Sequence, residues 1–401
     1  AAGVFWFLVE IPLVGIVALL LGIIAGQMVR IPIGSGVIVL SDLILFAVIF
    51  AWAFKKIVKR EPLFISSPIN LPLIILDAIM ALSLIWALVF LPRGEVISGS
   101  LYFFRFLAYQ MIFFFIQTSI KDIKQIKQIF SLVIGAGVVL SILGFIQLII
   151  IPDFSSMAPE GWDPHIGRLL STWFDPNLLG GLFAFLALVV IAQMLAEKAR
   201  LWHIASFSIF ITALLLTFSR SSLVAFIFGF FIIIILTIKR SWWMLGLGIG
   251  ILIIAFLSSP RIQERVGGIL TIDVTAQKRV ESWGNILSLA GGNPLFGTGF
   301  NTLRYVQFEE GLIPNPEEHS AGGSDSSFLT ILATTGIFGF IAFVWLMASA
   351  VFVSWKLFIN KENNFNSALG LGIIGGLASL FIHSQFVNSL LYPHILAVVW
   401  I

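Results

Sequence analysis

Apolar stretches of about 20 residues follow one another along almost the whole chain, parted by short polar breaks. In lipid no water is at hand to satisfy backbone N–H and C=O groups, so stretches of this kind must bond internally as helices. The short alternating segments of a membrane barrel are not seen. Composition agrees: 59% of the 401 residues are hydrophobic and 11% charged, against roughly 25% charged in soluble domains. Spanning segments are expected near 4–28, 33–54, 71–91, 100–120, 129–151, 176–196, 200–218, 221–238, 241–259, 326–356, 366–382 and 386–401. The expected fold is therefore an all-α membrane protein of about twelve transmembrane helices. Ala1 already lies in an apolar run with no charged leader, so the first helix is expected to serve as the anchor and no cleavable signal is expected.

The polar residues narrow the chemistry. With no cysteine there are no disulfides, thiolate metal sites or cysteine nucleophile. The net charge of +3 is spread over loops rather than gathered in a patch, so no nucleic-acid partner is expected. There is no HExxH, no clustered metal set and no serine nucleophile elbow. PLFGTG lacks the lysine and the strand–helix frame of a phosphate-binding loop. Neither a metal nor a cofactor is expected.

Basic residues set the orientation. Lys55, Lys56, Lys59, Arg60, Lys121, Lys124, Lys127, Lys198, Arg200, Lys239, Arg240, Lys356 and Lys361 all fall after even-numbered crossings, against only Glu61, Asp122, Glu197 and Glu362. That side should be cytoplasmic. The long polar passage of the chain then lies outside, as one large extracytoplasmic loop over 259–325, capping a site between helices of 1–258 and 326–401. The 152–177 connection and the tight turn at Arg220 share that outer face.

Several residues there could carry chemistry, each beside a plainer reading. Arg220, in LTFSRSSLVAF, is either an arginine reaching the headgroups or a guanidinium gripping a phosphate or carboxylate. Arg279, in KRVESWGNI, is either a solvated edge residue or a free phosphate ligand, since no carboxylate stands at helical spacing from it. Arginines converging from separate loops would suit a diphosphate. Asp325, in GGSDSSF, is either a helix cap or a general base toward a hydroxyl. His319 is the rival base in the same loop, and Arg304 is a further cation there. The pairs Gly297/Gly299 and Gly336/Gly339 read as turn and close-packing positions.

Four passages, in order, resemble the O-antigen ligase and O-antigen polymerase family: RLLSTWFDPNLLGG with Arg168, Pro176 and Asn177; LTFSRSSLVAF with Ser219 and Arg220; RVESWGNILSLAGGNPLFGTGF with Arg279, Trp283, Pro294, Gly297 and Gly299; and SDSSFLTILATTGIFG with Asp325, Ser327, Leu329, Gly336 and Gly339. The resemblance implies a multi-spanning (GT-C-like) membrane glycosyltransferase that uses no nucleotide sugar. Its donor would be a glycan on undecaprenyl diphosphate, with Arg220 and Arg279 on the diphosphate and Arg168 a weaker third. Asn177, His319 and Arg304 would complete the substrate site. The acceptor would be a glycan, a lipid or a protein, and direct attack by its hydroxyl would invert the anomeric centre.

One departure matters. Ligases carry His-Asn where this chain has Asp325-Ser326. An aspartate with an ordinary pKa near 3.9 is a weak base unless its surroundings raise it. Acidic residues at this place are more familiar among polymerase-like members, so polymerase is favoured over ligase. Two other readings remain open. One is a transporter or flippase of lipid-linked glycans, for which Asp42, Asp77 and Arg105 are the intramembrane candidates. The other is a peptidoglycan polymerase of the shape, elongation and division group.

Overall fold

A computed structural model describes residues 11–33, 36–160, 162–196, 199–237, 246, 274–316, 324–360 and 362–401. The helices are α1 (Pro12–Ala25), α2 (Leu40–Val58), α3 (Asn70–Ala87), α4 (Arg93–Ser119), α5 (Ile123–Ile150), α6 (Pro176–Ala196), α7 (Leu201–Leu216), α8 (Arg220–Thr237), α9 (Val274–Gly292), α10 (Leu303–Glu309), α11 (Ser327–Ile359), α12 (Asn364–His383) and α13 (Pro393–Trp400). Among the described residues seven are long and apolar enough to cross a membrane: α3, α4, α5, α6, α8, α11 and α12. Each coincides with an expected span. Two more expected spans correspond to the shorter apolar helices α1 and α7. Apart from Gly246, the expected segment 241–259 lies outside the described residues, as does His319.

The chain is all-helical in class as expected, but two of the expected spans, 33–54 and 386–401, differ. Residues Arg30–Ile33 and Gly36–Val39 form an antiparallel pair, β1 and β2, so the helix expected from residue 33 begins only at Leu40. The run RIPIGSGVIV is apolar enough to read as a helix, but its glycines and proline disfavour a helix and its β-branched residues favour strands. The segment 386–401 is also not one helix. It holds a 3-10 turn at Ser389–Leu391 and the eight-residue α13, which at about 1.5 Å per residue falls well short of the bilayer core.

α6 is the central helix, buried along nearly its whole length. Pro176 starts it without wasting an N–H, and Asp175 Oδ1 accepts from Asn177 N at 2.7 Å and Leu178 N at 3.1 Å. α7, α8 and α12 pack around it. A Cβ on Gly372 would come within 2.9 Å of Val189 Cα, and one on Gly229 within 2.4 Å of the Gly375 carbonyl oxygen, so small residues let these backbones approach.

At one end of the bundle Lys56 Nζ donates to Glu61 at 2.8 Å and to the Thr118 carbonyl at 3.1 Å, joining the ends of α2 and α4. Lys127 lies 5.2 Å from the Phe365 ring, joining α5 to α12 at that same basic end. Near the other end of α2 and α4, Arg105 holds Asp42 with two bonds of 2.9 Å. Tyr109 donates to Asp42, and Ser41 bonds to His394. Asp42 and Arg105, two of the three intramembrane candidates for a transport path, thus satisfy one another inside the protein, whereas Oδ1 of the third, Asp77, is buried without a hydrogen-bond partner.

α11 is broken at Gly336, which has φ 65° and ψ −168°. The break frees backbone groups, and the strap Pro294–Gly299 takes them up. Thr298 N donates to the Ala333 carbonyl at 2.8 Å, Gly299 N to the Thr334 carbonyl at 3.0 Å, and Ile337 N to the Pro294 carbonyl at 2.8 Å. A Cβ on Gly336 would fall 2.2 Å from the Leu295 carbonyl oxygen. Gly297, at φ 69°, is equally confined. Ser83 and Gly99 hold the next turn, with Phe300 N donating to Ser83 Oγ at 3.0 Å. The strap is thereby part of the bundle.

Replacing Gly336 with alanine should therefore destabilise the protein by about 2 kcal/mol or more, read as a fall in thermal midpoint in detergent. Gly135→Ala, which meets nothing within 4 Å, should leave the midpoint unchanged or raise it slightly.

Candidate active site

Four chain segments meet at the end of the bundle opposite the Lys56–Glu61 pair. They are the starts of α6, α8 and α11 and the end of α12. Just before three of these junctions a non-glycine residue takes a left-handed backbone: Phe174 (φ 58°), Phe218 (φ 49°) and Asp325 (φ 54°). Such conformations persist where the surroundings fix them and gather at functional sites.

The junctions are tied together by hydrogen bonds. Arg168 donates from Nε to the Thr217 carbonyl at 2.8 Å and from Nη2 to Asn177 Oδ1 at 3.1 Å. It thus brackets the turn before Arg220 to the start of α6. Ser222 Oγ lies 3.2 Å from the Asn177 carbonyl oxygen, 2.9 Å from Ser219 Oγ and 2.9 Å from His383 Nε2. His383 Nδ1 meets Ser389 Oγ. Ser222 has one proton for three neighbours, the Asn177 carbonyl, Ser219 Oγ and His383 Nε2, so the imidazole tautomer is coupled to the direction of this serine network. The next residue completes the knot: the Ser384 carbonyl accepts from Ser327 N at 2.9 Å, and Ser327 Oγ accepts from Leu390 N at 3.2 Å.

His383 is thus the hub of the junctions, and it is absent from the candidates that the sequence offers. A lone histidine at the end of an apolar run gives little signal. Its neighbours Ser384 and Gln385, a polar island between two apolar segments, are the available hint.

Arg220 is the first residue of α8 and is half-buried beside this serine cluster. Arg279, on α9, is brought to Asp325: its Nε stands 3.9 Å from Asp325 Oδ2, and its guanidinium lies 5.9 Å from the Phe386 ring centre. Trp283, one turn along α9, packs against the same ring at 6.0 Å. Ile286 anchors the helix in a small core with Leu303 and Ala333. Arg304 is turned elsewhere, with Nη1 on the Pro316 carbonyl at 3.4 Å inside its own loop.

The two readings of Asp325 separate here. Ser326, not Asp325, caps α11, its Oγ accepting from Leu329 N at 3.3 Å. The Asp325 side chain remains 68% exposed and faces Arg279. Protein nevertheless crowds it, and desolvation lifts its pKa above the ordinary carboxylate range. Arg279 opposes that rise and Asp163 adds to it. Asp175, tucked at the start of α6, is also raised by burial, against the pull of its backbone donors and Arg168. Among the described residues no group of His, Asp and Glu side chains is placed to hold a metal ion.

A site of this form can hold an anion on guanidinium groups beside a carboxylate able to take a proton. Ser326→Ala should cost about 1 kcal/mol of stability through the lost cap. Asp325→Asn, in a left-handed position that asparagine tolerates, should shift the thermal midpoint by no more than a degree or two, as roughly 0.5 kcal/mol or less would do.

Comparison with curated proteins gives no match. Residues 205–344, from α7 into α11, match the family model described as O-antigen ligase, and the match takes in Arg220, Arg279, Trp283 and Asp325. Over this segment the chain, an integral membrane protein, is thus similar to the O-antigen ligase/polymerase family of membrane enzymes that handle glycans.

Proposed function

We propose that the protein is a membrane glycosyltransferase that takes a glycan from undecaprenyl diphosphate and passes it to an acceptor hydroxyl on the outer face of the bacterial cytoplasmic membrane. The observation that carries the reading is the approach of Arg279 to an uncapping Asp325 with a raised pKa. In the reaction the acceptor oxygen attacks the anomeric carbon, whose bond to the phosphate oxygen breaks. Asp325 receives the hydroxyl proton. The lipid diphosphate leaves with its charge held by Arg279 and Arg220, with no metal, and the anomeric centre inverts. Arg168 and Asn177 act from behind, fixing the turn that carries Arg220. The carboxylate in place of His-Asn favours a polymerase over a ligase, and the acceptor is then the end of another lipid-linked glycan.

The loop 259–325 serves as the lid over this site, its helix α9 bringing Arg279 and Trp283 down onto the ends of α11 and α12. The basic ends of α2, α4 and α5 face the cytoplasm by the same charge rule that sets the lid outside.

Protein reconstituted with a polyprenyl-diphosphate glycan should release free lipid diphosphate and lengthen the product. Arg220→Ala and Arg279→Ala should lower turnover by a hundredfold or more, on the order of the loss of one transition-state donor, without loss of insertion. Asp325→Asn should do the same; undiminished turnover in that variant would remove Asp325 as the base. Movement of intact lipid-linked glycan across the bilayer without bond cleavage would replace the reading with a flippase.

The acid limb of the rate profile should lie above the pH expected for an ordinary aspartate, because the base must lose its proton to work. Arg279→Gln, assayed on its residual activity, should move that limb to still higher pH, since the guanidinium pulls the carboxyl down.

A further inference from the structure

A buried donor with no hydrogen-bond partner is rare in a native protein and calls for an explanation. Three such donors are Arg279 Nε and Trp283 Nε1, whose side chains pack on the Phe386 ring, and Ser384 Oγ, two residues before Phe386 in the chain. Arg279 and Trp283 stand one helical turn apart on α9, both packed on that ring. Ser384 is fully buried. Its carbonyl is already used to hold Ser327, which leaves the hydroxyl as its unspent group. At 3.9 Å, Asp325 is too far from Arg279 Nε for a hydrogen bond.

The chemistry of the set is one-sided. An arginine N–H and an indole N–H can only donate, and a serine hydroxyl can donate as well as accept. One of the three is cationic. A sugar hydroxyl brings a proton that also needs an acceptor, whereas a phosphate oxygen only accepts. We propose that Arg279, Trp283 and Ser384 form a phosphate-oxygen subsite, in which the Trp283 indole N–H and the Ser384 hydroxyl bind the ligand directly. The naming of the ligand as a lipid diphosphate rests on the function proposed above; the subsite itself does not. Its position beside Asp325 puts the bound phosphate next to the group that takes the acceptor proton.

The test uses the full-length protein in nanodiscs, titrated separately with undecaprenyl diphosphate, phosphatidylglycerol and inorganic pyrophosphate. Trp283→Phe keeps the ring on Phe386 and deletes one donor; Ser384→Ala deletes another. Each should weaken binding of undecaprenyl diphosphate about tenfold, as expected for a hydrogen bond to a charged group. Neither should lower the thermal midpoint of the ligand-free protein, because no internal bond is lost.

Unchanged affinity in both variants, with wild type binding normally, would overturn the subsite and leave the proposed function standing. Binding of phosphatidylglycerol or pyrophosphate alone, weakened by both variants, would support the subsite and overturn the lipid-diphosphate donor. Failure of wild type to bind any of the three probes would overturn both.

Discussion

Backbone polar groups within a bilayer must find partners in the protein, and the break in α11 makes that demand visible. Interrupting a helix at Gly336 frees groups that water cannot reach. The strap Pro294–Gly299 supplies the missing partners from outside the helix, with Thr298, Gly299 and Pro294 bonded to Ala333, Thr334 and Ile337. Because the strap is held backbone to backbone, the helices on either side of it are fixed too. α9 carries Arg279 on one side, and α10 lies on the other. The position of a guanidinium beside Asp325 therefore depends on hydrogen bonds made at a distance from both.

The same economy appears at the other junctions. A left-handed residue turns the chain, a serine or aspartate oxygen satisfies the first N–H groups of the helix, and the neighbouring side chain is left to face the site. Asp175 caps α6 while Asn177 meets Arg168. Ser326 caps α11 while Asp325 meets Arg279. At α11 the cap and the arginine contact fall on adjacent residues, so a carboxylate at a helix start need not be spent on the helix.

Much of this is legible in the sequence, and the limits have physical causes. Apolar length marks a spanning helix because bilayer thickness fixes it, so the long helices fall where they are expected. The β1–β2 pair escapes because the run is apolar enough to satisfy a hydropathy criterion, while its Ile and Val favour an extended chain and its Gly and Pro oppose a helix. Arg168 and Asn177 stand in one short passage and do meet. Arg279 and Asp325 come from separate passages, and the element that joins them is the strap, whose glycines read only as turn or packing positions. His383 gives little beyond the polar island it shares with Ser384 and Gln385, since its partner Ser222 comes from a distant part of the chain.

The hub at His383 also bears on how such enzymes can be recombined. The matched segment 205–344 ends before α12 begins and starts after α6 has ended. Yet the Ser222 hydroxyl is oriented by Asn177 on α6 and by the imidazole on α12. A chimera that exchanges the matched segment alone would graft its arginine turn onto a foreign socket. Exchanging α6, α8 and α12 as one block would keep socket and turn together, so the natural unit of exchange is a cluster in space rather than a stretch of sequence.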